Sequence, residues 1–127
     1  MEISTIEKTI TQDQINSYAE ASGDFNPIHV DEAFAKKSQY GKNIAHGMMI
    51  AATISELMAI ISPETWPKTG NMKIRFKAPV YPGDTITTSA KVQKITETPE
   101  GKEMRYSVTV KRQTGEVLIS GSTSVIT

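Results

Sequence analysis

Between Gly47 and Ile61 the chain runs for about 15 residues that are almost wholly apolar, interrupted only by Thr53, Ser55 and Glu56. A membrane-spanning helix needs about 20 predominantly apolar residues. This segment is too short and too polar for that, so it reads as a helix that must be buried in protein. Downstream the period changes. Met72, Ile74, Phe76, Ala78 and Val80 alternate with Lys73, Arg75, Lys77 and Pro79, the signature of a half-buried strand. Ile86, Thr88, Ala90 and Val92 repeat the pattern weakly, Met104, Tyr106, Val108 and Val110 repeat it clearly, and a last run spans Val117 to Ile126. Pro82-Gly83-Asp84, Pro99-Glu100-Gly101 and Thr114-Gly115-Glu116 supply turn chemistry between these runs. Strands joined so tightly are expected to pair antiparallel as a four-strand meander. With one more strand at Ile3 to Thr9, the pattern predicts an α+β domain whose sheet covers the apolar helix.

A length of 127 residues suits a single domain over 1–127. Fourteen Lys+Arg balance fourteen Asp+Glu, so there is no long-range field to gather nucleic acid or an anionic membrane surface. The absence of cysteine excludes disulfides, thiolate metal sites and cysteine nucleophiles. Met1 to Lys8 shows no basic stretch followed by an apolar run, which makes the cytoplasm the expected compartment.

Before the apolar helix, Thr11-Gln12-Asp13-Gln14 has the spacing of a capping box. Ile15, Tyr18 and Ala19 follow at helical spacing, and Gly23 suits the end of that helix. Asp24 to Pro27 is expected to be irregular, since a proline disfavours helix at the residue before it. Asp31 is placed to cap a short helix through Lys37.

Only His29 and His46 are available for histidine chemistry. Asp24 and His29 lie five apart with Pro27 between them, so they share no helical face. An irregular loop can nevertheless turn both toward one point. On spacing alone, a capped turn with a loop histidine explains them more simply. Gly47 stands at the mouth of the apolar helix, where the first amides have no intrahelical partner and the dipole favours negative charge. That suits a developing oxyanion, although in isolation a glycine there is more simply structural. Ser55 lies eight residues further on, about 2.2 turns, near the same face. Glu56 is the one ionisable group of this helix. Two histidines 17 apart show no zinc-ligand spacing, and no phosphate or dinucleotide fingerprint occurs, so neither metal nor cofactor is expected.

Taken together, Ser22-Gly23-Asp24-Phe25-Asn26-Pro27-Ile28-His29, Ile44-Ala45-His46-Gly47-Met48 and Phe76-Lys77-Ala78-Pro79-Val80-Tyr81-Pro82-Gly83-Asp84-Thr85 resemble the MaoC-like dehydratases and R-specific enoyl-CoA hydratases. The first segment carries every position of that family's G-D-x-N-P-x-H motif. The resemblance implies a hot-dog fold, a curved antiparallel sheet wrapped round the central helix, assembled as a homodimer or higher even oligomer. It implies Asp24 and His29 as the acid–base pair and the Gly47 amide as the donor to the thioester carbonyl. Asn26 would support the loop, and Ser55, with Thr53 as the nearby alternative, would help hold the aspartate. The implied reaction adds water reversibly to a trans-2-enoyl thioester of coenzyme A or acyl carrier protein, giving the R-3-hydroxyacyl product. Coenzyme A is then part of the substrate, with no separate cofactor. Three rival readings share the fold. They are a thioesterase using Glu56, which requires Glu56 to line the acyl tunnel, a non-catalytic acyl-CoA-binding protein, and a structural subunit of a hetero-oligomeric dehydratase.

Overall fold

A computed structural model describes residues 3–127; Met1 and Glu2, part of the amino-terminal reading above, lie outside them. In chain order the elements are β1 (Ile3–Thr9), α1 (Gln12–Ser22), α2 (Pro27–Val30), α3 (Glu32–Lys36), α4 (Gly47–Ile61), α5 (Trp66–Thr69), β2 (Asn71–Phe76), β3 (Thr85–Thr98), β4 (Gly101–Arg112) and β5 (Val117–Ile126). The local signals before α4 act as the sequence predicts. Thr11 Oγ1 accepts from Gln14 N at 3.2 Å while Thr11 N donates to Gln14 Oε1 at 3.1 Å, closing the capping box of α1. Gly23 ends that helix at φ 80°, a left-handed conformation that glycine adopts without a Cβ penalty. Asp31 Oδ1 caps α3 through Phe34 N at 3.0 Å. The stretch expected to be irregular is so from Asp24 to Asn26, and a helical turn begins at Pro27. Asn26 is its cap, accepting from Ile28 N at 3.1 Å, and Pro27 occupies the first helical position, where no N–H is missed.

The five strands form one antiparallel sheet in the order β1-β3-β4-β5-β2. Only β3, β4 and β5 make the expected meander; β2 crosses the sheet and pairs with β5 at the far edge. The alternation at Ala78 and Val80 also lies outside the strand. Lys77 N and Ala78 N both donate to Leu118 O, at 2.8 and 3.3 Å, and Pro79 has no N–H to continue the ladder. The Pro82-Gly83-Asp84 turn then bonds to the end of β1 instead of folding β2 back on β3. Gly83 N donates to Ile10 O at 2.7 Å and Ile10 N to Asp84 O at 2.9 Å. Buried Asp84 pairs with Arg112, whose Nη2 also donates to Pro79 O at 2.7 Å, so the crossing segment is clamped to the end of β4. A turn motif specifies a local reversal; it does not name the strand that comes next.

The buried face of α4, made by Ile50, Ala51, Ile54, Leu57 and Met58, joins Ile86, Val108, Val110, Leu118, Ile119 and Val125 of the sheet in one core. Burying each such side chain contributes on the order of 1.5–3 kcal/mol. Thr53, also on that face, is satisfied internally, with its Oγ1 donating to Ile50 O at 2.7 Å and lying 2.7 Å from Thr88 Oγ1. Among the described residues no helix is long and apolar enough to cross a membrane. The layout is the α+β, sheet-around-helix arrangement that the resemblance implies.

Candidate active site

The amino end of α4 meets the loop between α1 and α2 at a small polar cluster. Asp24 leaves that loop directly after the Gly23 turn, and its Oδ1 accepts from Asn26 N at 3.1 Å. His29 follows on α2. Its backbone carbonyl accepts from Gln12 Nε2 at 2.8 Å, and its Nδ1 lies 2.8 Å from Ile44 O. A carbonyl only accepts, so Nδ1 carries the hydrogen and the neutral ring presents its Nε2 lone pair. His46 is buried, 2% exposed, with Nε2 2.8 Å from Asp24 O, so by the same reasoning Nε2 is its donor. The rings of His29 and His46 stack with centroids 3.9 Å apart and planes 24° apart. The side-chain donor atoms of Asp24, His29 and His46 gather within 4.8 Å of one another.

His46 is the N-cap of α4 but makes no side-chain cap bond, and Gly47 is the first helical residue. Among the described residues no protein acceptor takes the Gly47 N–H. The amide is therefore free for a ligand at the positive end of the helix dipole. Two cavities meet here. One of about 370 Å³ is bordered by Tyr18, Ser22, Asp24, His46 and Met48, the other of about 310 Å³ by His29, Tyr40, Ile44, Lys77 and Pro79; Gly47 and Phe76 border both. A Cβ on Gly47 would meet Phe76 Cε1 at 3.0 Å, so the Phe76 ring lies directly over the glycine, 51% exposed. Asp24, His29 and the Gly47 amide are thus brought together, with Asn26 as the cap that sets the turn between the first two.

Ser55 is not brought to Asp24 within the chain. Its Oγ accepts from Trp66 Nε1 at 2.9 Å, and eight residues of helix rise carry it about 12 Å along the axis from Gly47. Helical counting fixed its face and left out that displacement. Thr53, the alternative, turns into the core. Glu56 borders neither cavity; it is 44% exposed and pairs with Lys8 Nζ at 2.7 Å. The thioesterase reading therefore lacks its carboxylate in this site. What residue spacing passed over is His46 as more than a helix-mouth residue, Gln12 and Asn43. Asn43 Nδ2 donates to Ile28 O and Asp31 O at 2.9 and 3.2 Å, tying down the segment that carries His29. Nothing local in the sequence signals those partners, which are 12 or more residues away.

The family model described as MaoC like domain matches residues 1–114. The chain belongs to the MaoC-like family. An (R)-specific enoyl-CoA hydratase of Rhodospirillum rubrum is 34% identical over 122 residues, covering 96% of the MaoC-like chain and 83% of the relative. A 3-hydroxybutyryl-CoA dehydratase of Methylorubrum extorquens is 32% identical over 104 residues, covering 82% of this chain and 65% of its own length. In three dimensions the MaoC-like chain is similar to the unliganded R-hydratase PhaJ1 of Pseudomonas aeruginosa, with TM-score 0.84 and 27% identity over 98% of this chain and 79% of that one. The expected hot-dog architecture holds.

Proposed function

We propose that this protein is a hydro-lyase that adds water reversibly to trans-2-enoyl thioesters, giving R-3-hydroxyacyl thioesters. The observation that carries the reading is the convergence of Asp24 and His29 beside an amide, Gly47 N–H, that the fold leaves without an acceptor. Water addition needs a base to take a proton from the attacking water, an acid to deliver one to C2, and a donor for the enolate-like carbonyl oxygen. His29 and Asp24 take the first two parts as a pair: the His29 Nε2 lone pair takes a proton from a water that the Asp24 carboxylate orients, and the imidazolium so formed delivers that proton to C2. As water oxygen bonds to C3, one proton leaves it and one reaches C2, and the thioester is regenerated. Both groups come from one short segment, so they serve a single water on one face of the double bond, which favours syn addition. Names of relatives include both coenzyme A and acyl-carrier-protein substrates, and either carrier fits a reaction confined to the thioester and its two adjacent carbons.

The test is direct. Purified protein mixed with crotonyl-CoA should remove the conjugated thioester absorbance, and the product should be the R isomer. Hydrolysis to free coenzyme A without hydration would overturn the assignment.

A further inference from the structure

Among the described residues, the loop from Gly23 to Asn26 is held almost wholly by itself. Asp24 N donates to Ser22 Oγ, Asn26 N to Asp24 Oδ1, and Gly23 N to Ala19 O. One hydrogen bond reaches it from far along the chain, the 2.8 Å contact between His46 Nε2 and Asp24 O. His29 has distant anchors of its own in Gln12 and Ile44, while its N donates to Asn26 O at 2.9 Å at the end of that loop. The two members of the acid–base pair therefore share Asn26 and differ in their long-range anchors, and the long-range hydrogen bond at Asp24 comes from His46.

The cost of that arrangement is visible in His46 itself. Its Nδ1 is buried and has no hydrogen-bond partner among the described residues. An aromatic hydrocarbon ring would fill the same space against Tyr18, whose ring centroid is 4.8 Å away, and against His29, without leaving an orphaned acceptor. What the imidazole adds over such a ring is the Nε2–H. We infer that His46 is a positioning residue: its Nε2–H holds the Asp24 carbonyl while its ring face braces the His29 ring, so that one buried side chain sets the separation of the two acid–base groups. The kinetic part of this inference rests on the hydratase reading; the structural part does not.

Two variants separate the donor from the ring. His46→Phe keeps an aromatic face and removes the donor; His46→Gln keeps an amide donor and removes the stack. In His46→Phe, kcat for crotonyl-CoA hydration should fall about 10²-fold, the scale of an ångström-sized misplacement of a reacting group. KM should stay close to wild type, because no group touching the substrate has been removed. His46→Gln should recover part of the loss. A readout independent of turnover is the ¹⁵N heteronuclear NOE, which should drop at Gly23 to Asn26 in His46→Phe and stay unchanged at His29 and Val30. In the wild type, long-range ¹H–¹⁵N spectra of the two histidines should show His46 protonated at Nε2, a measurement that needs no variant to fold. The inference is overturned if His46 is protonated at Nδ1, if His46→Phe keeps wild-type kcat, or if kcat falls with no loosening of Gly23 to Asn26. A wild type without hydratase activity would instead sink the functional reading, while the NOE and tautomer results still decide the role of His46.

Discussion

At the residue scale the proposed hydration rests on three groups, Asp24, His29 and the Gly47 amide, that would have different jobs and fail differently. In the proposed hydration Asp24→Asn and His29→Ala each remove one member of the acid–base pair, so each should lower kcat/KM by about 10²–10⁴-fold while leaving the thermal transition little changed. Steady-state assays on folded variants measure this. Glu56→Gln breaks an exposed ion pair with Lys8, worth little in water, and should be nearly silent in both respects. If Glu56→Gln abolished turnover and Asp24→Asn did not, the thioesterase reading would return. Gly47 works through its backbone. Its φ is not in the left-handed region, so alanine is tolerated by the backbone, but the new methyl would stand 3.0 Å from Phe76 Cε1. Because that ring is half exposed, it can swing outward at small cost. Gly47→Ala should therefore keep its melting temperature and lose kcat/KM, since the methyl and the displaced ring crowd the approach to the amide. Equal losses of stability and activity would count against the oxyanion role.

At the scale of elements, the segment between β2 and β3 decides whether β2 reaches the far edge of the sheet. Asp84 and Arg112 are both nearly buried, with side-chain exposures of 11% and 10%. Asp84 also accepts from Tyr81 N at 2.9 Å and from Gln113 Nε2 at 3.1 Å. Removing one partner leaves the other charge buried and unpaired, which typically costs about 3–5 kcal/mol. Arg112→Ala should destabilise the fold on that order in urea titration, and the paired change Arg112→Leu with Asp84→Leu should recover part of the loss. Recovery is expected because apolar groups of similar volume leave no orphaned charge. A silent Arg112→Ala would mean that the crossing does not depend on this clamp.

For the whole molecule, the exposed apolar side chains point to a second copy. Met48 and Phe76, 64% and 51% exposed, border the mouth of the site, Phe25 beside Asp24 in the chain is 57% exposed, and β1 and β2 are the edges of the sheet. Contiguous exposed apolar surface and free edges are what association covers. We expect a homodimer or higher even oligomer, and sedimentation at micromolar concentration should show no monomer. Met48→Lys, which places a charge on the most exposed of these side chains, should shift the distribution toward monomer without unfolding the chain. A wild type that sediments wholly as monomer would refute this.

The amino-acid sequence by itself determined whatever depends on neighbours within a turn or two. The capping box at Thr11 and Gln14, the left-handed stop at Gly23, the Asp31 cap, the two-residue period of β3 and β4 and the apolar face of α4 are local physical chemistry, and the structure shows each of them. Even the missed turn of α2 was written in Asn26-Pro27, a cap followed by a first-position proline. The G-D-x-N-P-x-H motif likewise carries Asp24 and His29 on one short segment, and the fold turns both side chains toward one point. Tertiary structure decided what depends on residues far apart in the chain. The two-residue period of β2 says which side chains share a face and nothing about which strand lies alongside, so its pairing with β5 from Asn71 to Phe76 is visible only in the fold. Helical counting placed Ser55 on the face of Gly47, and only the fold shows that its Oγ accepts from the Trp66 indole. His46 carries no local mark that separates it from any helix-mouth residue. It becomes a clamp because folding brings Asp24 O, 22 residues away, within hydrogen-bond reach of its ring.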